Sequence, residues 1–137
     1  MNVLHRVHRW LRPDGRMLDI HPEPEDASVE VRDGPRLTFV GPYQRPHIYQ
    51  NIHAARAALA GMVEQGLFAR ERSIVFEVLY HFETVDQWLA YRVERGTSTE
   101  VDPGLLERAR DVLAETSGEL LIREQMRATR YGRRHSP

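Results

Sequence analysis

The sequence predicts one α/β or α+β domain, in which a mixed sheet is packed by helices. Two long segments, at about 70–82 and 119–131, combine alternation with β-branched or aromatic residues and predict strands. Four other segments repeat apolar residues at helical spacing and lie at about 2–11, 47–66, 85–95 and 103–114. A chain of 137 residues with 41% hydrophobic content is long enough to bury one ordinary core.

The first predicted elements are a short helix and a short strand. An apolar stripe runs along the helix from Val3 to Leu11, and Pro13-Asp14-Gly15 ends it with a strong turn signal. Residues 16–20 follow as a strand. The strand ends at His21-Pro22-Glu23-Pro24-Glu25, because two prolines cannot continue a central strand.

A hairpin and a long helix are predicted next. Apolar and polar residues alternate over 28–40 on both sides of Asp33-Gly34-Pro35, which indicates two strands and a turn. The loop at 41–46 leads into the helix at 47–66, and Gly66 is a suitable stop.

The second half of the chain alternates between strand and helix. Residues 70–82 carry apolar side chains on both faces, which is typical of a covered strand. Thr84 and Gln87 form a capping box for the helix at 85–95, and Pro103 opens the next helix. The strand at 119–131 has one wetter face. We expect a single domain over 1–131, with a disordered tail at 132–137.

Composition excludes several classes of protein. The formal net charge is −1, so we expect no binding to nucleic acid, and the arginines from Arg123 to Arg134 read as protection of an edge strand. The chain has no cysteine, which removes disulfides and thiolate chemistry. No stretch approaches the roughly 20 apolar residues of a membrane span. With no signal peptide visible at the N-terminus, the expected location is the cytoplasm.

The segment from His5 to Ile20 resembles a stretch of class I S-adenosylmethionine-dependent methyltransferases. In that family, a helix ending in a Leu-Arg-Pro-Gly-Gly-type turn leads into the fifth strand of the sheet, and here the turn reads Leu11-Arg12-Pro13-Asp14-Gly15. The resemblance implies that a helix and an antiparallel strand pair follow. The helix at 47–66 and the strands at 70–82 and 119–131 fit these parts, so the expected fold is a truncated methyltransferase-like sheet with a long antiparallel closing pair.

The family's cofactor-binding half is missing from this sequence. The resemblance places that site in a Gly-rich turn after the first strand and an acidic residue after the second, and no Gly-x-Gly-x-Gly occurs here. We therefore expect no cofactor and no methyltransferase activity from the chain alone. The strand at 16–20 would lie at an open sheet edge, which favours a homodimer or a complementary protein subunit.

The candidate site residues lie at strand ends and at the start of the long helix. His21, Glu23 and Glu25 could bind a metal ion or act in acid–base chemistry, although a solvated surface loop explains the same pattern. A ligand pocket could collect polar and aromatic residues, since helix N-termini favour anions. The residues for that pocket are His21, Glu23, Tyr43, Arg45, His47, Tyr80 and His81.

These observations leave three hypotheses for function. The first is a methyltransferase-like homodimer that acts as an accessory or small-ligand-binding protein without methyltransferase activity. The second is a small enzyme or metal- or ligand-binding protein with a site near His21, Glu23 and His81. The third is a subunit completed by a separate protein that supplies the N-terminal half.

Overall fold

A computed structural model describes residues 3–97 and 100–135 and confirms the α+β class. Its elements, within those residues, are four helices and five strands. The helices are α1 (Val3–Trp10), α2 (Pro46–Glu64), α3 (Val85–Glu94) and α4 (Pro103–Ala114). The strands are β1 (Arg16–Pro22), β2 (Ala27–Asp33), β3 (Arg36–Tyr43), β4 (Phe68–Phe82) and β5 (Glu119–Arg133). β5 therefore extends into the segment expected to be a tail, of which residues 136 and 137 lie outside the described residues.

The five strands form one antiparallel sheet within the described residues, so the expectation of a mixed sheet is wrong. Residues 126–132 of β5 pair with β1, and residues 119–123 pair with β2, which continues into β3. β4 pairs with β5, as the predicted closing pair requires. Ser73 Oγ and Thr129 Oγ1 lie 2.9 Å apart across these two strands.

The described residues divide into two compact units. The α2 unit contains the described parts of Met1–Glu25, Pro46–Phe76 and Gln125–Pro137. The hairpin unit contains those of Asp26–Arg45 and Glu77–Glu124. No helix in the described part of the chain is long and apolar enough to cross a bilayer.

The hairpin unit has a core between one sheet face and helices α3 and α4. Val29 and Val31 pair across the strands with Ile122 and Leu120, so their side chains share a face. The helices cover that face with four buried residues, Val85, Trp88, Leu105 and Ala109. Burial of this apolar surface is the main favourable contribution to the stability of the unit.

The α2 unit has a separate and smaller apolar cluster. Leu59 and Met62 of α2 pack with Phe68 of β4 and Tyr131 of β5. The apolar stripe of α1 adds Leu4, Val7 and Leu11 to this cluster. α2 therefore covers the face of β5 that carries Tyr131, and this placement creates the cavity described next.

Candidate functional site

From Leu18 to His21, strand β1 turns its polar side chains toward α2 and its apolar side chains toward solvent. Side chains alternate between the two faces of a strand. Leu18 and Ile20 are 61% and 53% exposed, whereas the side chains of Asp19 and His21 on the other face are 23% and 14% exposed. Their cross-strand partners on β5 are Thr129 and Arg127. The register of β1 and β5 therefore gathers four polar residues on the covered face.

Helix α2 forms the opposite wall of a cavity of about 560 Å³. Arg56, Leu59, Ala60 and Val63 lie three, four and seven positions apart, so they share one side of the helix. Leu59 is also part of the apolar cluster, and its burial fixes the rotation of α2. Arg56, one turn earlier, is consequently directed at the polar side chains of β1.

Two hydrogen bonds define the tautomer of His21. Arg56 Nε donates to His21 Nε2 over 3.1 Å, and a guanidinium cannot accept a hydrogen bond. Nε2 must therefore be the unprotonated nitrogen. The proton lies on Nδ1, which donates to Asp19 Oδ2 over 2.7 Å.

Glu23 is buried and bridges two arginines. Its Oε2 accepts from Arg56 over 2.6 Å, and its Oε1 accepts from Arg127 Nε. Burial alone would raise the pKa of the Glu23 carboxyl. Hydrogen bonds and charge from Arg56 and Arg127 outweigh that effect and hold the pKa below its ordinary value of 4.5. Glu23 is thus ionised at neutral pH and fixes both guanidiniums at the cavity.

The β5 wall of the cavity also has an ordered set of hydrogen bonds. Arg127 Nη1 donates to Ser73 Oγ over 3.1 Å, and Ser73 contacts Thr129. Tyr131 lines the cavity beside Thr129. Burial, with a smaller effect from the Asp19 carboxylate, raises the pKa of Tyr131 above its ordinary value of 10.0. Its phenol is therefore a neutral group at physiological pH.

The cavity lining presents more hydrogen-bond donors than acceptors. Arginines reach it from three elements, with Arg56 on α2, Arg70 on β4 and Arg127 on β5, against one lining carboxylate, Glu64. The nearby carboxylate of Glu23 already accepts from two of these arginines. A molecule that enters this cavity meets guanidinium groups with unused N–H donors, a geometry suited to carboxylate or phosphate oxygens.

The structure brings together only some of the residues predicted for the site. His21 and Glu23 meet through Arg56, whereas Glu25 is exposed. Among residues 3–97 and 100–135, no group of three or more metal-ligating side chains is placed to hold an ion. Both carboxylate oxygens of Glu23 accept hydrogen bonds from arginines, which explains why Glu23 is not placed to bind a metal ion.

The other predicted pocket residues are placed differently. Tyr43, Arg45 and Tyr80 meet inside the hairpin unit, where Arg45 pairs with buried Glu124 and lies 5.6 Å from the centre of the Tyr43 ring. Burial, and then the charge of Glu124, raises the pKa of Tyr80. His47 is exposed on α2. His81, an exposed residue of the hairpin unit, has Nδ1 3.3 Å from Glu119.

Several residues of the cavity are absent from the set predicted by sequence. Asp19 could have been found, because it lies two positions before His21 and so on the same strand face. Arg56 and Arg127 give no local signal, since arginines on helices and strands are usually solvated. Only the register of β5 and the rotation of α2 bring them to His21. The sequence interpretation of Arg123 to Arg134 as protection of an edge strand is wrong, because β5 pairs with β1, β2 and β4.

No known protein family, curated protein or solved structure matches this chain.

Proposed function

We propose that this chain is a small-ligand-binding protein with a methyltransferase-like half fold and no methyltransferase activity on its own. Its ligand is a small organic anion, bound in the cavity between α2 and the face of β1 and β5. The observation that carries this proposal is the Arg56–Glu23–Arg127 bridge. It holds two guanidiniums in fixed positions at one end of a cavity to which α2 also adds the apolar Leu59, Ala60 and Val63.

The Arg56–Glu23–Arg127 bridge is accessible to a ligand because the side chains of its two arginines remain partly exposed. The side chains of Arg56 and Arg127 are 33% and 30% exposed, whereas Glu23 is 9% exposed. Each guanidinium has five N–H donors, and Glu23 accepts from only one or two of them. Positions fixed before binding reduce the entropy lost when a ligand is bound. Leu59, Ala60 and Val63 provide an apolar surface for the carbon skeleton of that ligand.

The order of elements supports the methyltransferase-like part of the proposal. β1 follows the Leu11-to-Gly15 turn, and α2 and the pair β4–β5 come later in the chain. β5 pairs antiparallel with β1 and also pairs with β4, as the resemblance implies for a closing strand. The Gly-rich turn of that family has no counterpart in the sequence. We expect no saturable binding of S-adenosylmethionine in calorimetry.

Titration calorimetry with a panel of anions tests the ligand class. The probes are acetate, succinate, 2-oxobutyrate and inorganic phosphate, with S-adenosylmethionine included as the cofactor of the resembled family. We expect at least one carboxylate to bind the wild-type protein. Arg56→Gln and Arg127→Gln each weaken this binding by at least about tenfold, because hydrogen bonds to charged groups contribute about 1.5–3 kcal/mol.

Arg110→Gln is the matched control, since Arg110 is an exposed arginine of the hairpin unit paired with Asp86. We expect its binding to equal that of the wild-type protein. The proposal is wrong if none of the anions binds, or if the Arg56 and Arg127 variants bind as tightly as the Arg110 variant.

We also propose that the chain forms a homodimer through β1. Leu18 and Ile20 lie on the exposed face of this terminal strand. A groove of about 270 Å³ is lined by the apolar Leu18, Ile74 and Ala128 and by Arg72 and Arg130. Exposed apolar surface on an edge strand favours pairing with another strand. A two-fold axis would pair β1 of one copy with β1 of the other in antiparallel orientation.

Light scattering after size-exclusion chromatography tests the dimer. We expect a dimer for the wild-type protein and a monomer for Leu18→Lys, because the substitution places a charge in the apolar contact. Leu37→Lys is the control, since Leu37 is another exposed leucine on an edge strand, β3, and should leave the dimer intact. A wild-type monomer at all concentrations contradicts the proposal, as does a stable complex with a separate protein subunit in place of the dimer.

A further inference from the structure

We infer that the cavity catalyses proton transfer at the carbon next to the carbonyl group of a small 2-oxo acid, with His21 Nε2 as the base. This inference rests on the anion site proposed above. It assigns a substrate class and a chemical role to residues that binding alone would not require, namely the Asp19–His21 pair.

The Asp19–His21 pair has the geometry of an oriented general base. Asp19 accepts from Nδ1–H at 2.7 Å, so the carboxylate fixes both the tautomer and the orientation of the ring. The lone pair of Nε2 is consequently directed at Arg56 Nε, and both residues line the cavity. A neutral imidazole with one nitrogen held by a carboxylate is a common arrangement for removing a proton near neutral pH.

Arg56 is the group that couples ligand binding to the release of this base. In the structure, its Nε donates to His21 Nε2, while a second nitrogen donates to Glu23. An incoming ligand oxygen competes for the Nε donor and leaves the Nε2 lone pair available. The bond to Glu23 keeps the guanidinium beside the cavity while its Nε moves off His21.

The contact between Arg56 Nε and His21 Nε2 also limits the class of substrate that can bind. Arg56 Nε and His21 Nε2 are in direct hydrogen-bond contact at 3.1 Å, so the guanidinium must move off His21 before a ligand places one atom at the base and a neighbouring oxygen at the guanidinium. A C–H group next to a carbonyl meets this requirement, because the proton leaves from carbon while negative charge develops on the carbonyl oxygen. The carboxylate of the 2-oxo acid then binds Arg127, which Glu23 holds beside Arg56.

The proton-transfer step is balanced without another reactant. The C–H bond breaks and its proton moves to His21 Nε2. The C–H electron pair forms the enolate C=C bond, and the carbonyl π electrons move to oxygen beside Arg56. In the reverse direction, the protonated His21 returns a proton to carbon and becomes neutral again. The net result is exchange of that hydrogen with solvent.

Covalent catalysis has less support from the side chains at this cavity. The sequence contains no cysteine. The Ser73 hydroxyl contacts Thr129 and accepts from Arg127 Nη1, so an arginine rather than a base lies beside it. A guanidinium does not remove a proton from a hydroxyl group at physiological pH. His21 is thus the cavity residue best placed to move a proton.

Hydrogen–deuterium exchange into 2-oxobutyrate tests the inference. The C3 methylene signal is followed by proton NMR in D₂O, and calorimetry on the same protein measures binding of 2-oxobutyrate. We expect wild-type protein to accelerate exchange over buffer, and His21→Gln to lower the protein-catalysed rate by at least about 100-fold. His53→Gln is the control, since His53 is an exposed histidine on α2, and its rate should match the wild-type rate.

Asp19→Asn tests the positioning role through a readout other than activity. The amide of Asn can donate to Nδ1, which favours the tautomer with its proton on Nε2 and removes the base. Nitrogen-15 NMR of the imidazole should show that change of tautomer together with the loss of exchange. A retained Nδ1–H tautomer with lost exchange overturns the assigned role of Asp19.

The outcomes for binding and for catalysis are separable. Binding of 2-oxobutyrate without exchange above buffer overturns proton transfer and leaves the anion site standing. Exchange that survives in His21→Gln overturns the assignment of the base. Absence of 2-oxobutyrate binding overturns this inference, whereas absence of binding for every anion of the panel overturns the proposed function as well.

Discussion

The two units use the covered faces of their strands in opposite ways. In the hairpin unit, β2 and β5 direct Val29, Val31, Leu120 and Ile122 toward α3 and α4. In the α2 unit, β1 directs Asp19 and His21 toward its covering helix. The first arrangement maximises burial of apolar surface, whereas the second sacrifices such burial to orient charged and polar groups. An arrangement that is unfavourable for stability is expected where it serves a site.

The two units also differ in the solvent exposure of their buried ion pairs. Arg45 and Glu124 of the hairpin unit have side chains that are only 8% and 9% exposed, and their pair lies among aromatic residues. Glu23 of the α2 unit is as buried as Glu124, but its two arginine partners keep about a third of their surface exposed. The hairpin unit encloses its ion pair, and the α2 unit leaves its arginines accessible to a ligand.

Removal of one partner from the enclosed ion pair should give the largest loss of stability. We expect Glu124→Leu to lower the free energy of unfolding by about 4 kcal/mol, because Arg45 is left buried without a counter-charge. Urea denaturation followed by circular dichroism measures this change. The double variant Glu124→Leu with Arg45→Met should recover most of the loss. If the single variant Glu124→Leu and the double variant are equally stable, Arg45 reaches solvent and the pair is not enclosed.

Truncation of one buried and one exposed leucine tests the comparison of the strand faces. Leu120→Ala should cost about 3 kcal/mol, since Leu120 is fully buried and its truncation leaves a cavity. Leu18→Ala should cost less than about 0.5 kcal/mol in dilute protein, because Leu18 is largely exposed.

Protein concentration adds a second readout to this pair. If β1 forms a dimer, the cost of Leu18→Ala grows with concentration, whereas that of Leu120→Ala is constant. Thermal unfolding of both variants over a hundredfold range of concentration tests this expectation. A concentration-independent cost for Leu18→Ala would count against dimerisation through β1.

Local signals allowed most elements of the fold to be predicted from sequence. Thr84 Oγ1 accepts from the backbone N–H of Gln87, as the capping box requires. Gly34 and Gly66 adopt positive φ angles of 56° and 73° in the hairpin turn and after α2. Pro103 opens α4. Each of these signals lies within a few residues of the structure it determines, so no tertiary information is needed.

The cavity could not be predicted in the same way, because its contacts join distant parts of the chain. Glu23 is 33 positions from Arg56 and 104 positions from Arg127. Sequence pattern identified His21 and Glu23 as chemically capable residues but gave no means of choosing their partners. That choice depends on the register of β1 against β5 and on the rotation of α2, both of which tertiary packing determines.

The smallest expected difference between the two units is in how much stability each loses at acidic pH. Arg56 and Arg127 hold the pKa of Glu23 below 4.5, whereas the pKa of Glu119 is lowered first by its hydrogen bond from Arg32. For both carboxylates, the stabilisation is present above the unfolded pKa and is lost as pH falls through the folded pKa. Glu119 is 36% exposed, so solvent screens its effect.

We therefore expect Glu23→Gln to cost about 2 kcal/mol at pH 7, because a charge-assisted hydrogen-bond network is lost. Glu119→Gln should cost less than about 1 kcal/mol, as for other exposed ion pairs. Both differences from the wild-type protein should vanish at a pH below the folded pKa values, where the native carboxyls are neutral as well. Denaturant unfolding from pH 7 to pH 3 measures these differences, and a larger effect at Glu119 would contradict the contrast drawn between the units.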